Sequence, residues 1–132
     1  MNAELQDIIH KSAFKVQEGM YIYAQAKTTP TNQNHFMVAK DGEEITVVTR
    51  QEHLHEVDLI ERNKDDWALI ALHVSIPFYC PGFLAAVTGA IEKQGMDVLV
   101  ISTYSKDYLL VKHDLLGTAK DTLRTLGMKE KG

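Results

Sequence analysis

The stretch WALIALHVSIPFYCPGFLAAVTGAIEKQGMDVLVISTYSKDYLLVK, residues 67–112, has the most definite pattern in the chain. Residues 67–75 form an almost wholly apolar run, which is typical of a strand in the middle of a sheet. Residues 82–94 then place apolar side chains at helical spacing, and Gly95 is a typical residue to end that helix. These patterns predict a central strand followed at once by an amphipathic helix.

The second part of this stretch predicts a hairpin. Residues 98–103 and 108–112 are β-rich runs separated by a short polar turn, which indicates an antiparallel pair. The whole stretch is therefore a β-α-β-β unit. Pro81 and Gly82 constrain the loop before its helix, because proline fixes φ and glycine lets a ligand or another backbone approach closely. That loop is the expected place for function, although the same pair also suits a simple helix start.

The N-terminal part of the chain predicts a short helix that packs Leu5, Ile8 and Ile9, and then a half-buried strand over residues 20–26. Apolar side chains at every third position predict a second helix over residues 51–60.

Two polar signals predict turns and caps. Asp41-Gly42 lies between the β-rich runs 36–40 and 44–49, so it predicts a tight hairpin with positive φ angles. Asp114 is predicted to cap the last helix, which ends at Gly127.

Composition and charge exclude several classes of protein. The chain has 132 residues, 45% of them apolar and 24% charged, which suits one compact domain or two small halves. A net charge of -4 with dispersed basic residues argues against a general nucleic-acid or anionic-membrane surface. The longest apolar run is too short to cross a bilayer, and the acidic N-terminus lacks the pattern of a signal peptide. Cys80 is the only cysteine, so a reducing cytoplasm is the expected location.

A weak internal repeat divides the chain into residues 1–65 and residues 66–132. Strand, hairpin and helix follow one another in both parts, but a polar loop takes the place of the crossover helix in the first part. Two such parts side by side would form a sheet with helices on one face.

Other chemistry has little support in the sequence. His53 and His55 point to different sides of a helix and lack a third metal ligand, so a solvated surface is favoured. Cys80 and His73 would need contact and an orienting group to act as nucleophile and base, and a buried thiol is favoured.

The tyrosines of the chain admit two interpretations. Tyr21, Tyr23, Tyr104 and Tyr108 could stack on RNA bases, but core packing is favoured because no basic patch accompanies them.

No phosphate loop is present, and we expect no catalytic residues, no metal and no cofactor.

The segment PGFLAAVTGAIEKQGMDVLVIST, residues 81–103, resembles the signature region of ACT domains. In that family a Pro-Gly turn opens the first helix, a Gly ends it, and an acidic residue leads a strand that ends in Ile-Ser. The matching residues here are Pro81, Gly82, Gly95, Asp97, Ile101 and Ser102. The whole chain is similar to stand-alone tandem ACT proteins related to aspartate kinase regulatory domains and to the cytosolic arginine sensor of animals.

The resemblance implies an α+β, ferredoxin-like fold. It implies two ACT-like β-α-β-β-α halves side by side, with an antiparallel sheet and helices on one face. The first half, residues 1–65, would be degenerate, and residues 66–132 would form the better ACT-like half.

The resemblance also implies a function and a site. It implies a non-enzymatic regulatory module, a homodimer in which an amino acid or similar metabolite binds at an ACT–ACT interface. Backbone N–H groups of residues 75–82 would bind the ligand carboxylate, and Asp107 would pair with its amine. The implied site residues are Ser75, Ile76, Pro77, Phe78, Pro81, Gly82, Thr103, Tyr104 and Asp107. The alternative is a protein-interaction or dimerisation module without any small-molecule ligand.

Overall fold

The computed structural model describes residues 1–31, 33–75 and 80–132, and it shows a mixed α+β protein. The chain forms two compact units, a larger one of Met1–Gln17 with Ala68–Gly132 and a smaller one of Glu18–Trp67. The smaller unit is therefore inserted between two pieces of the larger one. No helix in the described ranges is long and apolar enough to cross a membrane.

The expected halves are residues 1–65 and 66–132. In the structure, the first seventeen residues belong instead to the unit that contains Ala68–Gly132. Leu5, Ile8 and Ile9 of the N-terminal helix are buried in the core of the larger unit, together with side chains from beyond residue 67. Burial of these apolar side chains, which is a non-local contact, assigns the N-terminal segment to the C-terminal piece.

The elements in chain order are α1 (Ala3–Lys11), β1 (Ala13–Val16), β2 (Tyr21–Ala26), β3 (Met37–Lys40), β4 (Ile45–Arg50), β5 (Leu59–Arg62), β6 (Trp67–His73), α2 (Phe83–Lys93), β7 (Leu99–Ser102), β8 (Asp107–Lys112), α3 (Leu116–Leu126) and β9 (Lys129–Glu130). Two 3-10 helices span Gln51–Glu56 and His113–Leu115.

The sheet of the larger unit has the strand order β9-β1-β6-β8-β7. Strands β1 and β6 are antiparallel, with Phe14 opposite Leu72, and β7 and β8 form an antiparallel hairpin. The mid-sheet position of β6 and the β7–β8 hairpin confirm two predictions. Strands β1 and β9 were not predicted.

One face of this sheet is covered by all three α-helices. Ala68, Ile70 and Leu72 alternate along β6 and share a buried cluster with side chains of α1, α2 and α3. Because strand side chains alternate between faces, the apolar residues of this cluster lie on one side of the sheet. The β-α-β-β-α order and the helices on one face are thus confirmed for the larger unit.

The smaller unit contains β2, which pairs antiparallel with β4 on one side and with β5 on the other. Strand β3 pairs with β4, as the hairpin signal predicted, but the turn is not the predicted one. Gly42 is not among the glycines with positive φ, and residues 41–44 form a longer loop. Asp41 Oδ1 accepts hydrogen bonds from the backbone N–H groups of Glu43 and Glu44, and these bonds lower the pKa of Asp41.

The helix predicted over residues 51–60 is wrong. A 3-10 helix ends at Glu56, and Leu59–Arg62 forms β5 instead. The Lys27 N–H donates to the Asp58 carbonyl and the Asn63 N–H donates to the Tyr23 carbonyl, both at 2.7 Å. These bonds tie the segment to the edge of β2, where the backbone groups of a strand need partners. Sheet pairing therefore overrides the helical periodicity.

The predicted cap at Asp114 is also wrong. Helix α3 starts after the His113–Leu115 turn, and its N-cap, Leu115, makes no side-chain capping bond. The predicted ends of the helices are confirmed, because Gly95 follows α2 with φ +74° and Gly127 follows α3 with φ +122°.

Helix capping gives a first prediction. Replacing Asn2 with Ala should destabilise the protein by about 1 kcal/mol, because Asn2 Oδ1 accepts a 2.8 Å hydrogen bond from the Leu5 N–H. Asp114→Ala should change the free energy of unfolding by less than about 0.5 kcal/mol, as a surface substitution without a cap would. Urea unfolding of both variants tests the pair, and equal losses would contradict the assignment of the caps.

The end of α3 gives a second prediction. Gly127→Ala should destabilise by about 1–3 kcal/mol, because φ is +122° there and a Cβ would overlap the His10 ring. Gly117→Ala, in the same helix, meets no atom within 4 Å and should stabilise by up to about 1 kcal/mol. Thermal and urea unfolding measure both changes, and a neutral Gly127→Ala would refute the strain at this residue.

Candidate functional site

A cavity of about 330 Å³ lies in the larger unit, where the end of β6, the start of α2 and the β7–β8 turn meet. Its wall is apolar on the side of α2 and polar on the side of the turn. The lining residues are Val74, Cys80, Phe83, Leu84, Ser102, Thr103, Tyr104, Ser105, Lys106 and Asp107.

The β7–β8 turn holds its polar groups in defined positions. The Thr103 N–H and hydroxyl both donate to the Lys106 carbonyl, at 2.8 Å and 3.2 Å. Ser102 Oγ donates a 2.5 Å hydrogen bond to Oδ1 of Asp107, which lies opposite it in the ladder. The carboxylate of Asp107 is therefore oriented by its own hairpin, and its second oxygen, Oδ2, makes no hydrogen bond with a described residue.

The start of α2 forms the other wall. Gly82 is the N-cap with φ +89° and offers no side chain, and a Cβ there would lie 3.2 Å from Leu5 Cδ2. The Phe83 N–H donates to the Cys80 carbonyl at 3.1 Å. A helix N-terminus carries partial positive charge, so this wall is favourable for an anionic group.

The end of β6 is anchored to α1 through two serines. The Ser75 N–H donates to Ser12 Oγ at 3.0 Å, and Ser12 Oγ donates to the Ile8 carbonyl at 2.7 Å. Ser75 Oγ donates to the same carbonyl at 3.3 Å. The buried Ser12 hydroxyl thus holds the chain where it leaves the sheet toward the loop before α2.

The structure brings three of the predicted site residues together, Thr103, Tyr104 and Asp107. Pro81 and Gly82 are exposed at the start of α2, beside Cys80 and Phe83 but outside the cavity lining. Ser75 lies next to Val74 and faces a neighbouring groove. The predicted residues Ile76, Pro77 and Phe78 lie outside the described residues.

Sequence reasoning missed most of the apolar and charged lining. The sequence pattern places Phe83 and Leu84 in the helical core stripe, and it favours a buried thiol for Cys80. For Lys106 the pattern indicates only a polar turn. The usable signal was the topology, since the hairpin turn and the helix start of a β-α-β-β unit meet at the same end of the sheet.

Several other candidates occupy ordinary structural positions. His53 Nδ1 lies 2.6 Å from Glu56 Oε2, and the pKa of Glu56 is lowered by the Asn34 amide and then by His53. In the described part of the chain, no group of three or more His, Cys, Asp or Glu side chains is placed to hold a metal ion. His73 and Cys80 line different cavities.

The four tyrosines do not share one environment. Tyr21 is buried and makes an edge contact with Phe36, at 6.3 Å between ring centroids, whereas Tyr104 is 89% exposed. Tyr23 and Tyr108 are half-buried.

The serine anchor gives a third prediction. Ser12→Ala should destabilise by about 1–3 kcal/mol, because it leaves the Ser75 N–H without its acceptor in a partly buried place. Ser105→Ala, at an exposed residue, is the control and should be near neutral. Urea unfolding compares the two, and a neutral Ser12→Ala would show that this anchor contributes no stability.

Comparisons with known proteins agree with this fold. Residues 62–125 match the ACT domain family. The structure is similar to a protein of unknown function from Vibrio cholerae, described as a possible transport protein, with TM-score 0.82, 19% identity, and 95% of this chain and 97% of that one covered. It is similar to a protein from Agrobacterium tumefaciens, with TM-score 0.72, 20% identity, and 91% and 92% covered.

A third similar structure is the ligand-free regulatory subunit of aspartate kinase from Thermus thermophilus, with TM-score 0.61 and 8% identity. The match covers 87% of this chain and 95% of the Thermus thermophilus chain. No curated protein matches the sequence significantly. Residues 62–125 of the chain thus match the ACT domain family, and the chain shares its fold with the regulatory subunit of an aspartate kinase.

Proposed function

We propose that this chain is a non-enzymatic regulatory module that binds an amino acid or similar small metabolite in the cavity beside the β7–β8 turn. The observation that carries the proposal is the Asp107 carboxylate, which Ser102 orients in a cavity that also borders the start of α2. The single cysteine is consistent with action in the cytoplasm.

The two walls of the cavity suit the two ends of an amino acid. Asp107 can accept charge-assisted hydrogen bonds from an ammonium group through Oδ2 while Ser102 holds Oδ1. The helix start and Lys106 provide positive charge for a carboxylate. The cavity volume is at the lower end of the range of small-molecule sites, which is about 300–1,000 Å³.

The loop before α2 would complete this site. We assign Ser75, Ile76, Pro77, Phe78, Pro81 and Gly82 to it on the resemblance to ACT domains. The donors to the carboxylate would be backbone N–H groups of the non-proline residues after Ser75, because proline has no N–H and the Ser75 N–H is bonded to Ser12 Oγ. Thr103 and Tyr104 would contact the ligand side chain from the turn.

A second copy of the chain is the proposed partner that closes the cavity. Among the described strands, β7 pairs only with β8, so its other edge offers backbone groups to a further strand. Val100 on β7 is 39% exposed, and the Tyr104 ring next to the cavity is 89% exposed. Pairing of β7 across a homodimer would cover both side chains and form an ACT–ACT interface.

The alternative function is an interaction module without a ligand, in which the same β7 edge only mediates assembly. The exposure of Val100 and Tyr104 favours assembly in either case. The presence of a ligand is what separates the two functions.

A thermal-shift screen of the twenty amino acids gives a fourth prediction. A ligand present at 100 times its Kd stabilises the folded state by about 2.7 kcal/mol, so at least one amino acid should raise Tm. Asp107→Asn should abolish this shift, because the amine loses its charge partner.

Asp114→Asn is the matched control, since it removes the same charge from an exposed residue outside the cavity. It should keep the full shift. No shift with any amino acid would refute the sensor function, and a shift unchanged in Asp107→Asn would remove Asp107 from the site. Sedimentation of the unliganded protein measures the dimer separately.

A further inference from the structure

A second cavity of the larger unit collects positive charge. It has a volume of about 460 Å³ and lies where the ends of α1 and β6, the start of β1, the β7–β8 turn and the segment after β9 meet. Its lining residues are Lys11, Ala13, Leu72, His73, Val74, Ser75, Ser105, Lys106 and Lys131. We call this surface the basic groove.

The cationic side chains of the basic groove come from separate elements, so the fold and not the local sequence brings them together. Lys11 lies in the last turn of α1, His73 ends β6 opposite Ala13, and Lys106 belongs to the β7–β8 turn. Lys131 follows β9 and is held by its N–H, which donates to the Phe14 carbonyl at 2.8 Å. Four elements far apart in the chain thus point basic residues at one groove.

The positive charge of the groove is largely uncompensated. Lys11 forms an exposed ion pair with Asp7 at 2.9 Å. No carboxylate of the described residues forms an ion pair with Lys106, Lys131 or the nearby Lys15.

The basic residues of α3 show the opposite arrangement. Lys120 and Arg124 are both paired with Glu130, although they belong to the same unit. The basic groove thus keeps lysines without carboxylate partners among the described residues, in a chain whose net charge is -4.

The pKa of His73 reflects the positive charge of the groove. Burial lowers its pKa, and the positive charges of Lys131, Lys106 and Lys15 lower it further. The charges that lower the pKa of His73 thus have the same sign as its protonated form. An anion in the groove would reverse this effect and raise the pKa of His73.

We propose that the basic groove is an anion-binding site for a small molecule that carries a phosphate or carboxylate group. Lys106 and Lys131 supply the charge-assisted hydrogen bonds, Ser105 supplies a hydroxyl donor, and His73 can become a further donor on protonation. A small ligand is favoured over a nucleic acid because the cations occupy one groove on an acidic protein. The groove shares Val74, Ser105 and Lys106 with the cavity beside Asp107 but lies outside it.

The test is an NMR titration of the full chain with inorganic phosphate and, separately, with succinate. The His73 ring signals, assigned with His73→Gln, should shift saturably, and the pKa of His73 should rise with the anion bound. The anion that binds with the lower Kd shows whether the groove prefers phosphate or carboxylate. Glycerol, which is neutral, should leave the His73 signals unchanged.

Variants that remove lysine charges inside and outside the groove make the test specific. Lys106→Gln with Lys131→Gln should weaken anion binding by at least about tenfold, since two charge-assisted hydrogen bonds are lost. The same double variant should raise the pKa of His73 in the absence of anion, which also shows that it is folded. Lys40→Gln removes a charge from exposed β3 in the smaller unit and should bind as the parent does.

Two outcomes would overturn the proposal. One is the absence of a saturable shift of His73 with either anion. The other is equal weakening by Lys40→Gln, which would reduce the effect to general screening of charge. Asp107→Asn should retain anion binding, so failure of the amino-acid site and failure of the basic groove are distinguishable.

Discussion

The antiparallel pairing of β1 with β6 is the contact on which the larger unit depends. It places Phe14, which is fully buried, opposite Leu72 and draws α1 over the same face of the sheet as α2 and α3. The same pairing positions Ser12, whose hydroxyl accepts from the Ser75 N–H. The loop before α2 therefore begins from a point that the N-terminal segment holds in place.

The two cavities lie next to each other at one end of the sheet and present different chemistry. The cavity beside α2 has an oriented carboxylate, Asp107, and an apolar wall, which suits a zwitterion. The basic groove next to it has cations and a depressed His73 pKa, which suits an anion. Lys106 lines both cavities, so occupation of one can change the electrostatic potential of the other.

Much of the fold could be predicted where the pattern is local. The apolar run of β6, the amphipathic stripe of α2 and the β7–β8 hairpin were all read correctly from spacing and composition. Residues 51–60 were misread because their threefold spacing suits a helix equally well, and only pairing with β2 makes Leu59–Arg62 a strand. Aspartate is a common N-cap residue, but Asp114 lies inside a 3-10 turn, so the N-cap position of α3 falls on Leu115 instead.

For the site, local sequence suffices to predict the turn that contains Thr103, Tyr104 and Asp107 and the constrained Pro81-Gly82 helix start, because each depends on neighbours within a few residues. Tertiary structure alone decided that Cys80, Phe83 and Leu84 face that turn, and that Lys11, His73, Lys106 and Lys131 share a groove. It also decided that the N-terminal helix belongs with the C-terminal piece of the chain. Hydrophobic burial and strand pairing bring together residues that are far apart in sequence. The spacing of apolar residues indicates which face of an element is buried, but it does not indicate which element packs against that face.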